Sequence, residues 1–297
     1  MKLFTIAFLF IVGSGSTCLA QVRVMPADVK ETRRTDGFFN KLEIELRLIG
    51  DALEQAKGIR VLVDKAVDET GKNLLNEEKQ ELEFKELDSD GQSKKIDIEL
   101  KNAARRAEVV SEISGTLEIF TPQKDPRSII TFPSVLKTTG KPLVNPSLKA
   151  SGVEVVVWTK EQYEARRKAE EERIKKELEE RRKKASQDEL KEEFGDALAD
   201  GLMKIFGGLF SAFSEIGENA VALQINDPQS KLISIEFESA AGKPIKRQSR
   251  MTMGSQPQTQ VYEFEEKLPD TARIKVYLLT PKAVTKVPFK LTNVPLP

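Results

Sequence analysis

Residues 42–48 read Leu-Glu-Ile-Glu-Leu-Arg-Leu, with an apolar side chain at every second position. Because successive side chains of a β-strand point to opposite faces, this alternation predicts a half-buried strand. The same period recurs, separated by turn signals such as Thr70-Gly71 and Asp90-Gly91, in residues 59–67, 96–100, 113–120, 128–132 and 153–158. Short strands with turns between them and no helical period predict an antiparallel, immunoglobulin-like β-sandwich over residues 21–158.

A second series of alternating segments follows near the end of the chain, in residues 221–225, 232–237, 261–264, 274–279 and 284–291. It predicts a second sandwich over residues 219–297. Two pairs of segments match in the same order. The strand ending in residues 68–72 (DETGK) parallels the one ending in 239–243 (SAAGK), and residues 116–122 (TLEIFTP) parallel 275–281 (KVYLLTP). The matches favour a duplicated sandwich.

The period changes in residues 159–193, where acidic and basic side chains are mixed and Gly and Pro are absent. Acidic residues stand four positions before basic ones, as in Glu172 and Lys176 or Glu177 and Arg181. Such pairs stabilise a solvated helix. Apolar residues are too sparse for a sustained heptad, so a spacer helix is favoured over a coiled coil.

An amphipathic, Gly- and Phe-rich helix is predicted directly after it, over residues 194–218. Its apolar side chains recur at steps of three and four and form one stripe. The members of the stripe are Phe194, Leu198, Leu202, Ile205, Phe206, Leu209, Phe210, Phe213 and Ile216. The stripe can dock on the protein's own surface or pair with a second copy. A membrane surface is disfavoured because Lys204 is the one basic residue of the polar face.

The predicted fold class is therefore mainly β with a long helical insertion: two immunoglobulin-like antiparallel β-sandwiches separated by a charged helix and an amphipathic helix. The stripe is the candidate interaction site, for a protein partner or for self-association.

The first 20 residues resemble a secretory signal peptide. Lys2 precedes an apolar run over residues 3–12, and small side chains at Cys18 and Ala20 suit cleavage between Ala20 and Gln21. The run is too short to span a membrane, and no transmembrane span is predicted after cleavage. The mature protein is expected in the periplasm or outside the cell. The alternative is a lipid anchor on Cys18, although Gly15 stands where lipoprotein signals carry Leu.

The composition excludes several kinds of chemistry. The chain has no histidine, and Cys18 is its one cysteine. Ser-His-Asp and Cys-His catalysis and zinc sites built on imidazole or thiolate are thereby excluded. Basic and acidic residues balance at 47 each, so no nucleic-acid partner is expected. We expect no enzyme activity, no cofactor and no metal.

Three smaller features have ordinary structural interpretations. Residues 88–91 (DSDG) lack the further ligands of a calcium loop and predict a hairpin turn. Lys246, Arg247 and Arg250 form a small basic cluster in a polar stretch, residues 246–260, that is interpreted as a loop. Trp158, the chain's one tryptophan, is interpreted as a core or domain-end anchor beside the strand of residues 153–157.

Residues 68–72, the segment 115–122 and the ending 287–297 carry a resemblance. With them the chain resembles uncharacterised exported bacterial proteins with paired immunoglobulin-like β-sandwich domains. The resemblance implies that fold over most of the mature chain, and it implies no activity and no functional residue.

The function predicted from these observations is that of an exported, non-catalytic binding or structural protein. It would act through protein–protein contacts in the cell envelope or outside the cell. A glycan-binding module is the alternative, since sandwich loops host such sites, although aromatic residues are few. A hydrolase working through paired carboxylates is the third hypothesis.

Overall fold

The structure is a computed structural model, and it describes residues 22–34, 39–80, 83–87, 94–184 and 216–297. It is mainly β, with several antiparallel sheets, as the alternating sequence predicts. The predicted signal peptide, the turn at residues 88–91 and most of the predicted amphipathic helix lie outside the described residues.

The described residues form fifteen strands. They are β1 (Arg23–Thr32), β2 (Lys41–Ile49), β3 (Gly58–Asp68), β4 (Lys85–Glu86), β5 (Lys94–Leu100), β6 (Val109–Phe120), β7 (Ile129–Phe132), β8 (Glu154–Thr159), β9 (Val221–Asn226), β10 (Leu232–Glu238), β11 (Pro244–Ile245), β12 (Arg247–Met253), β13 (Gln258–Phe264), β14 (Arg273–Leu278) and β15 (Val284–Pro295). The α-helices in the described ranges are α1 (Pro146–Ser151) and α2 (Lys160–Lys184). Asn145 caps α1 by accepting the backbone N–H of Ser147 at 2.8 Å.

The described residues divide into two compact units. The first holds those before Glu83, those of Leu87–Ile119, and Lys286–Pro297. The second holds Glu83–Glu86 and those of Phe120–Thr285.

In the first unit one sheet has the order β1-β2-β5, and β15, β6 and β3 are neighbours in another. The predicted alternation of β2 is realised in full, because Leu42, Ile44, Leu46 and Leu48 are completely buried. They line one hydrophobic core together with side chains of β3, β5, β6 and β15. At about 25 cal/mol per Å² of apolar surface, this burial is the main favourable contribution to the unit's stability.

In the second unit the two sheets have the orders β12-β13-β9-β8 and β11-β10-β14-β7. Their facing side chains form a separate core, in which the ring of Phe237 is tilted against that of Tyr262 and edge-to-face with that of Phe264, at centroid distances of 5.1 and 4.9 Å. Leu143 and Leu148, on the segment that leads to β8, are buried in this same core.

The division between the two units does not fall at residue 158, where the sequence predicts a boundary. The strand β8, assigned from the sequence to the first sandwich, pairs with β9 in the second unit. The last strand, β15, belongs from Lys286 onward to the first unit. Periodicity identifies a strand and its buried face, but it carries no information on which strand will be its neighbour, and this limitation explains both differences.

The interpretation of residues 246–260 as a loop is wrong. They form β12 and the start of β13, paired from Arg247 with Phe264 to Met253 with Thr259. The strand was not predicted because its composition is polar. β12 is an edge strand, and most of its side chains are exposed. α2 is a helix over 25 residues, with a bridge of 2.5 Å between Arg173 and Glu170 on adjacent turns.

Candidate interaction surface

Of the predicted apolar stripe, only Ile216 lies among the described residues. Ile216 is buried on the outer face of the β12-β13-β9-β8 sheet, beside Ala222 of β9 and Val261 of β13. The cleavage residues Ala20 and Gln21 also fall outside the described part of the chain.

Trp158 lies half-buried on this outer face, in the same cluster as Ile216 and Tyr163 of α2. The Arg166 guanidinium stands 4.9 Å from the centre of its ring. This contact covers a ring face on which a sugar would otherwise stack. Burial raises the pKa of Tyr163. Trp158 therefore anchors the start of α2 to the sheet, in keeping with its predicted packing role.

The basic cluster of Lys246, Arg247 and Arg250 lies at the start of β12 and along it. Arg250 stands directly across from Tyr262, whose ring lies in the core. Arg250 donates to Glu86 Oε2, and Arg247 donates to Oε1 of the same carboxylate at 3.3 Å. Both guanidinium groups are thereby held against the edge of the core. Burial raises the pKa of Tyr262 to about 12, so the phenol stays neutral at physiological pH.

Methionines occupy the opposite face of β12. Met251 is paired with Val261, which lies in the outer cluster, and its side chain is 47% exposed. Met253 is partly buried against the same cluster. A flexible thioether side chain adapts to partners of different shape.

The outer edge of β12 is open, since no further strand pairs with it among the described residues. The opposite edge of the same sheet is covered, because Gly140 and Leu143 donate backbone N–H groups to Val157 and Val155 of β8, each at 2.8 Å. An open edge presents unpaired N–H and C=O groups to any other strand.

β12 has a shift of register between Arg247 and Ser249, as β1 has near its own start, but two other long edge strands carry protecting residues that β12 lacks. β1 contains Pro26 and a shift of register beside it. β15 contains Pro288 and the exposed Lys290. Proline and lysine are common devices against edge-to-edge pairing. The sequence of β12, Arg-Gln-Ser-Arg-Met-Thr-Met, has neither.

The buried carboxylates of the first unit are held by structural partners. Glu118 of β6 accepts from Arg60 Nε at 2.9 Å and lies 3.1 Å from Lys286 Nζ. Burial alone would raise the pKa of Glu118, but these two cations outweigh it and lower the pKa. Asp68 accepts the backbone N–H of Ala104 at 2.8 Å, and with its other bonds this likewise lowers its pKa against the effect of burial.

In the second unit, Glu236 and Glu238 of β10 lie two positions apart and therefore on the same face of the strand. Glu236 accepts the hydroxyl of Tyr277 at 2.8 Å, and Glu238 is bonded by Lys275. Burial, together with Glu236, raises the pKa of Tyr277. Both carboxylates are therefore engaged by neighbouring side chains of β14.

Over the described ranges, no group of three or more His, Cys, Asp or Glu side chains could hold a metal ion. No helix in that part of the chain is long and apolar enough to cross a membrane.

The sequence pointed to the arginines of β12 but not to Glu86 or Met251. For Met251 the available signal was the alternation of Met251 and Met253 with the polar Arg250 and Thr252. Comparison of the chain with protein-family models, with curated proteins and with solved structures finds no match.

Proposed function

We propose that this chain is an exported, non-catalytic structural protein that acts through protein–protein contacts in the cell envelope or outside the cell. The observation that carries the proposal is the outer edge of β12, which contains neither proline nor lysine and pairs with no further strand among the described residues. Export rests on the sequence of residues 1–20, with cleavage between Ala20 and Gln21 and a lipid anchor on Cys18 as the alternative.

We further propose that the two units are immunoglobulin-like sandwiches with a helical insertion between β8 and β9. The order β8-β9-β13-β12 corresponds to strands A-B-E-D of an immunoglobulin fold, and β10 beside β14 corresponds to C beside F. The order β1-β2-β5 with β3 beside β6 repeats the correspondence in the first unit. The apolar stripe that ends at Ile216 remains a proposed second contact site.

The buried carboxylates Asp68 and Glu118 are bonded to neighbouring groups, and this supports a non-catalytic role. A general acid working near neutral pH needs a carboxyl pKa that is raised, whereas the pKa values of Asp68 and Glu118 are lowered. These groups remain charged and bonded, which serves the stability of the fold.

The partner we propose for β12 is the β12 of a second copy, added antiparallel about a two-fold axis. A register centred on Met251 brings the two exposed Met251 side chains together at the axis. It sets Arg250 opposite Thr252 of the second copy, so that like charges do not meet. Main-chain hydrogen bonds then extend each four-stranded sheet into one of eight strands.

The test is the mass in solution of residues 21–297, measured by light scattering over a range of concentrations. We expect a dimer that Met251→Lys converts to a monomer, because two ammonium groups would meet at the axis. Met25→Lys is the matched control: Met25 is also 47% exposed and lies on the protected edge strand β1. It should leave the dimer intact.

A monomeric parent chain, or a dimer that Met251→Lys leaves unchanged, would contradict the β12 contact. A third variant separates the two contact sites, since Leu202→Asp with Leu209→Asp disrupts the stripe. If that variant alone dissociates the dimer, the contact belongs to the stripe and the β12 assignment is wrong.

A further inference from the structure

The two units contain the same tight turn at the same place. After β3, Gly71 donates its N–H to the carbonyl of Asp68 at 3.1 Å with φ at 84°. After β10, Gly242 donates to Ser239 at 2.9 Å with φ at 78°. Both turns need a residue in the left-handed region, which glycine adopts without strain. The similarity of residues 68–72 to 239–243 is therefore structural as well.

A second pair of equivalent features lies after β6 and β14. Each strand runs into Thr-Pro and then into a single turn of 3-10 helix, which covers Pro122–Lys124 in one case and Pro281–Ala283 in the other. The carbonyl of Thr121 accepts from Lys124 at 3.1 Å, and the carbonyl of Thr280 accepts from Ala283 at 3.0 Å. Thus β6 is the counterpart of β14, with Leu117 equivalent to Val276.

Strand order extends the correspondence to five strands in each half of the chain. The order β1-β2-β5 of the first unit matches β8-β9-β13 of the second, and β3 beside β6 matches β10 beside β14. Along the chain these strands also occur in the same succession. A duplication of one unit accounts for the agreement in both sequence order and pairing.

The strand that comes next in each half does not stay with its own copy. β7 follows β6 along the chain but pairs antiparallel with β14, from Ile129 with Tyr277 to Phe132 with Ile274. β15 follows β14 along the chain but is the neighbour of β6. Lys286 and Lys290 of β15 reach Glu118 and Glu112 of β6, each at 3.1 Å.

We infer that the chain is a tandem duplication whose two copies have exchanged their last strands. Each copy supplies five matching strands and donates the sixth to the other copy's sheet. In immunoglobulin terms, β7 and β15 are the G strands, each beside the F strand of the other half.

The two connecting segments lie side by side in the second unit, as a reciprocal exchange requires. Thr121 donates its N–H to the carbonyl of Ala283 at 2.8 Å, and the hydroxyls of Ser128 and Thr280 are 2.7 Å apart. Side chains from both segments share one small apolar cluster, which includes Phe120, Ile129, Leu279, Ala283 and Val284. The exchange is thus fixed by polar and apolar contacts that neither segment could make alone.

Exchange makes the folding of the two halves interdependent. The sheet that contains β14 needs a strand encoded before residue 133, and the sheet that contains β6 needs the end of the chain. Within one chain the donor strand is present at high effective concentration, which favours exchange within the chain over exchange between chains.

Engineered cysteine pairs test the exchange, because residues 21–297 contain no cysteine. Ile130→Cys with Val276→Cys joins directly paired positions of β7 and β14. The matched control, Ile130→Cys with Leu117→Cys, joins β7 to the equivalent position of β6. A protease site inserted after Val144, which is 90% exposed, then cuts the chain between its halves.

After mild oxidation and cleavage, the Ile130→Cys/Val276→Cys chain should stay in one piece on a non-reducing denaturing gel and hold no free thiol. The control should fall into two fragments and keep both thiols. Thr131→Cys with Lys275→Cys, against Thr131→Cys with Thr116→Cys, repeats the comparison on the other face of the sheet if a core pair fails to fold.

The opposite pattern, with β7 linked to β6 and free thiols in the β7–β14 pair, would overturn the inference. A disulfide between two chains would also overturn it, because the exchange would then occur between molecules.

Discussion

The backbone N–H of Thr121 donates to the carbonyl oxygen of Ala283 at 2.8 Å, joining two residues that are 162 positions apart in the sequence. One segment leads to β7 and the other to β15. Beside this bond, the hydroxyls of Ser128 and Thr280 meet at 2.7 Å, and Ser128 is fully buried. The two segments are therefore held together by several contacts where they cross in the second unit. Substitutions that remove these contacts should lower the free energy of unfolding.

Thr280→Val is expected to lower the free energy of unfolding by about 1–2 kcal/mol, because it leaves the buried Ser128 hydroxyl without this partner. The control is Thr285→Val, whose hydroxyl accepts an exposed hydrogen bond from Lys124. It should change stability by less than about 0.5 kcal/mol. Urea unfolding followed by circular dichroism measures both. Equal losses of stability in the two variants would show that the buried contact at the crossing contributes no more to stability than the exposed one.

Glu118 provides a second comparison, since its two cations differ in exposure. Arg60→Ala should cost about 3 kcal/mol or more, because it removes the better-buried partner of a buried carboxylate. Lys286 is 71% exposed, so Lys286→Ala should cost at most about 1 kcal/mol. Urea midpoints give the values.

A double variant checks the cause of the loss. Arg60→Met with Glu118→Leu removes the charge together with its partner, and it should recover most of the stability lost in Arg60→Ala. A double variant no more stable than Arg60→Ala would indicate that side-chain packing of Arg60, and not the unpaired carboxylate, causes the loss.

The sequence predicted local structure well where one face of a strand is buried. Leu42, Ile44, Leu46 and Leu48 were assigned to the core by their spacing alone, and all four are completely buried. Spacing failed for β12, because an edge strand that exposes most of its side chains has no apolar face to produce the signal.

Long-range pairing could not be predicted for a different reason. Val157 and Ile130 both lie in segments with alternating apolar residues. The neighbouring sequence of neither residue indicates that both will pack in the core of the second unit. The Thr-Pro segments signalled a duplication, but exchange of the last strands changes partners without changing any local pattern. Glu86 was not predicted because the two arginines that donate hydrogen bonds to it lie more than 160 positions away in the sequence.

Acid should weaken the wild-type protein through Asp68. Its pKa in the folded state lies below the ordinary value of 3.8, because hydrogen bonds from Ala104, Thr70 and Lys72 outweigh burial. A lowered folded pKa gives stability that is present above the unfolded pKa, about 3.9, and is lost as pH falls through the folded value.

We therefore expect Asp68→Asn to be clearly less stable than wild type at pH 7 and to approach it as the pH drops below about 4. Urea midpoints measured at several pH values between 7 and 2 show the trend. Asp64→Asn, an exposed change on the same strand, should stay within about 0.5 kcal/mol of wild type at pH 7. A constant gap between Asp68→Asn and wild type at all pH values would contradict the assignment.

Gly115 of β6 is the position least able to accept a side chain. A Cβ there would stand 2.1 Å from the backbone oxygen of Leu62 on β3, so the two strands would have to separate. Gly115→Ala should cost about 3 kcal/mol or more, at the upper end of overpacking effects. Gly71→Ala meets open space but a φ of 84°, and it should cost about 1–2 kcal/mol from backbone strain alone.

Adding Leu62→Ala to Gly115→Ala tests whether the main chain or the side chain of Leu62 obstructs a Cβ at position 115, and urea unfolding measures the result. The obstructing atom is a main-chain oxygen, which a shorter side chain leaves in place, so the double variant should recover no stability. Recovery would mean that the side chain of Leu62, and not the main chain of β3, is the reason for glycine at 115.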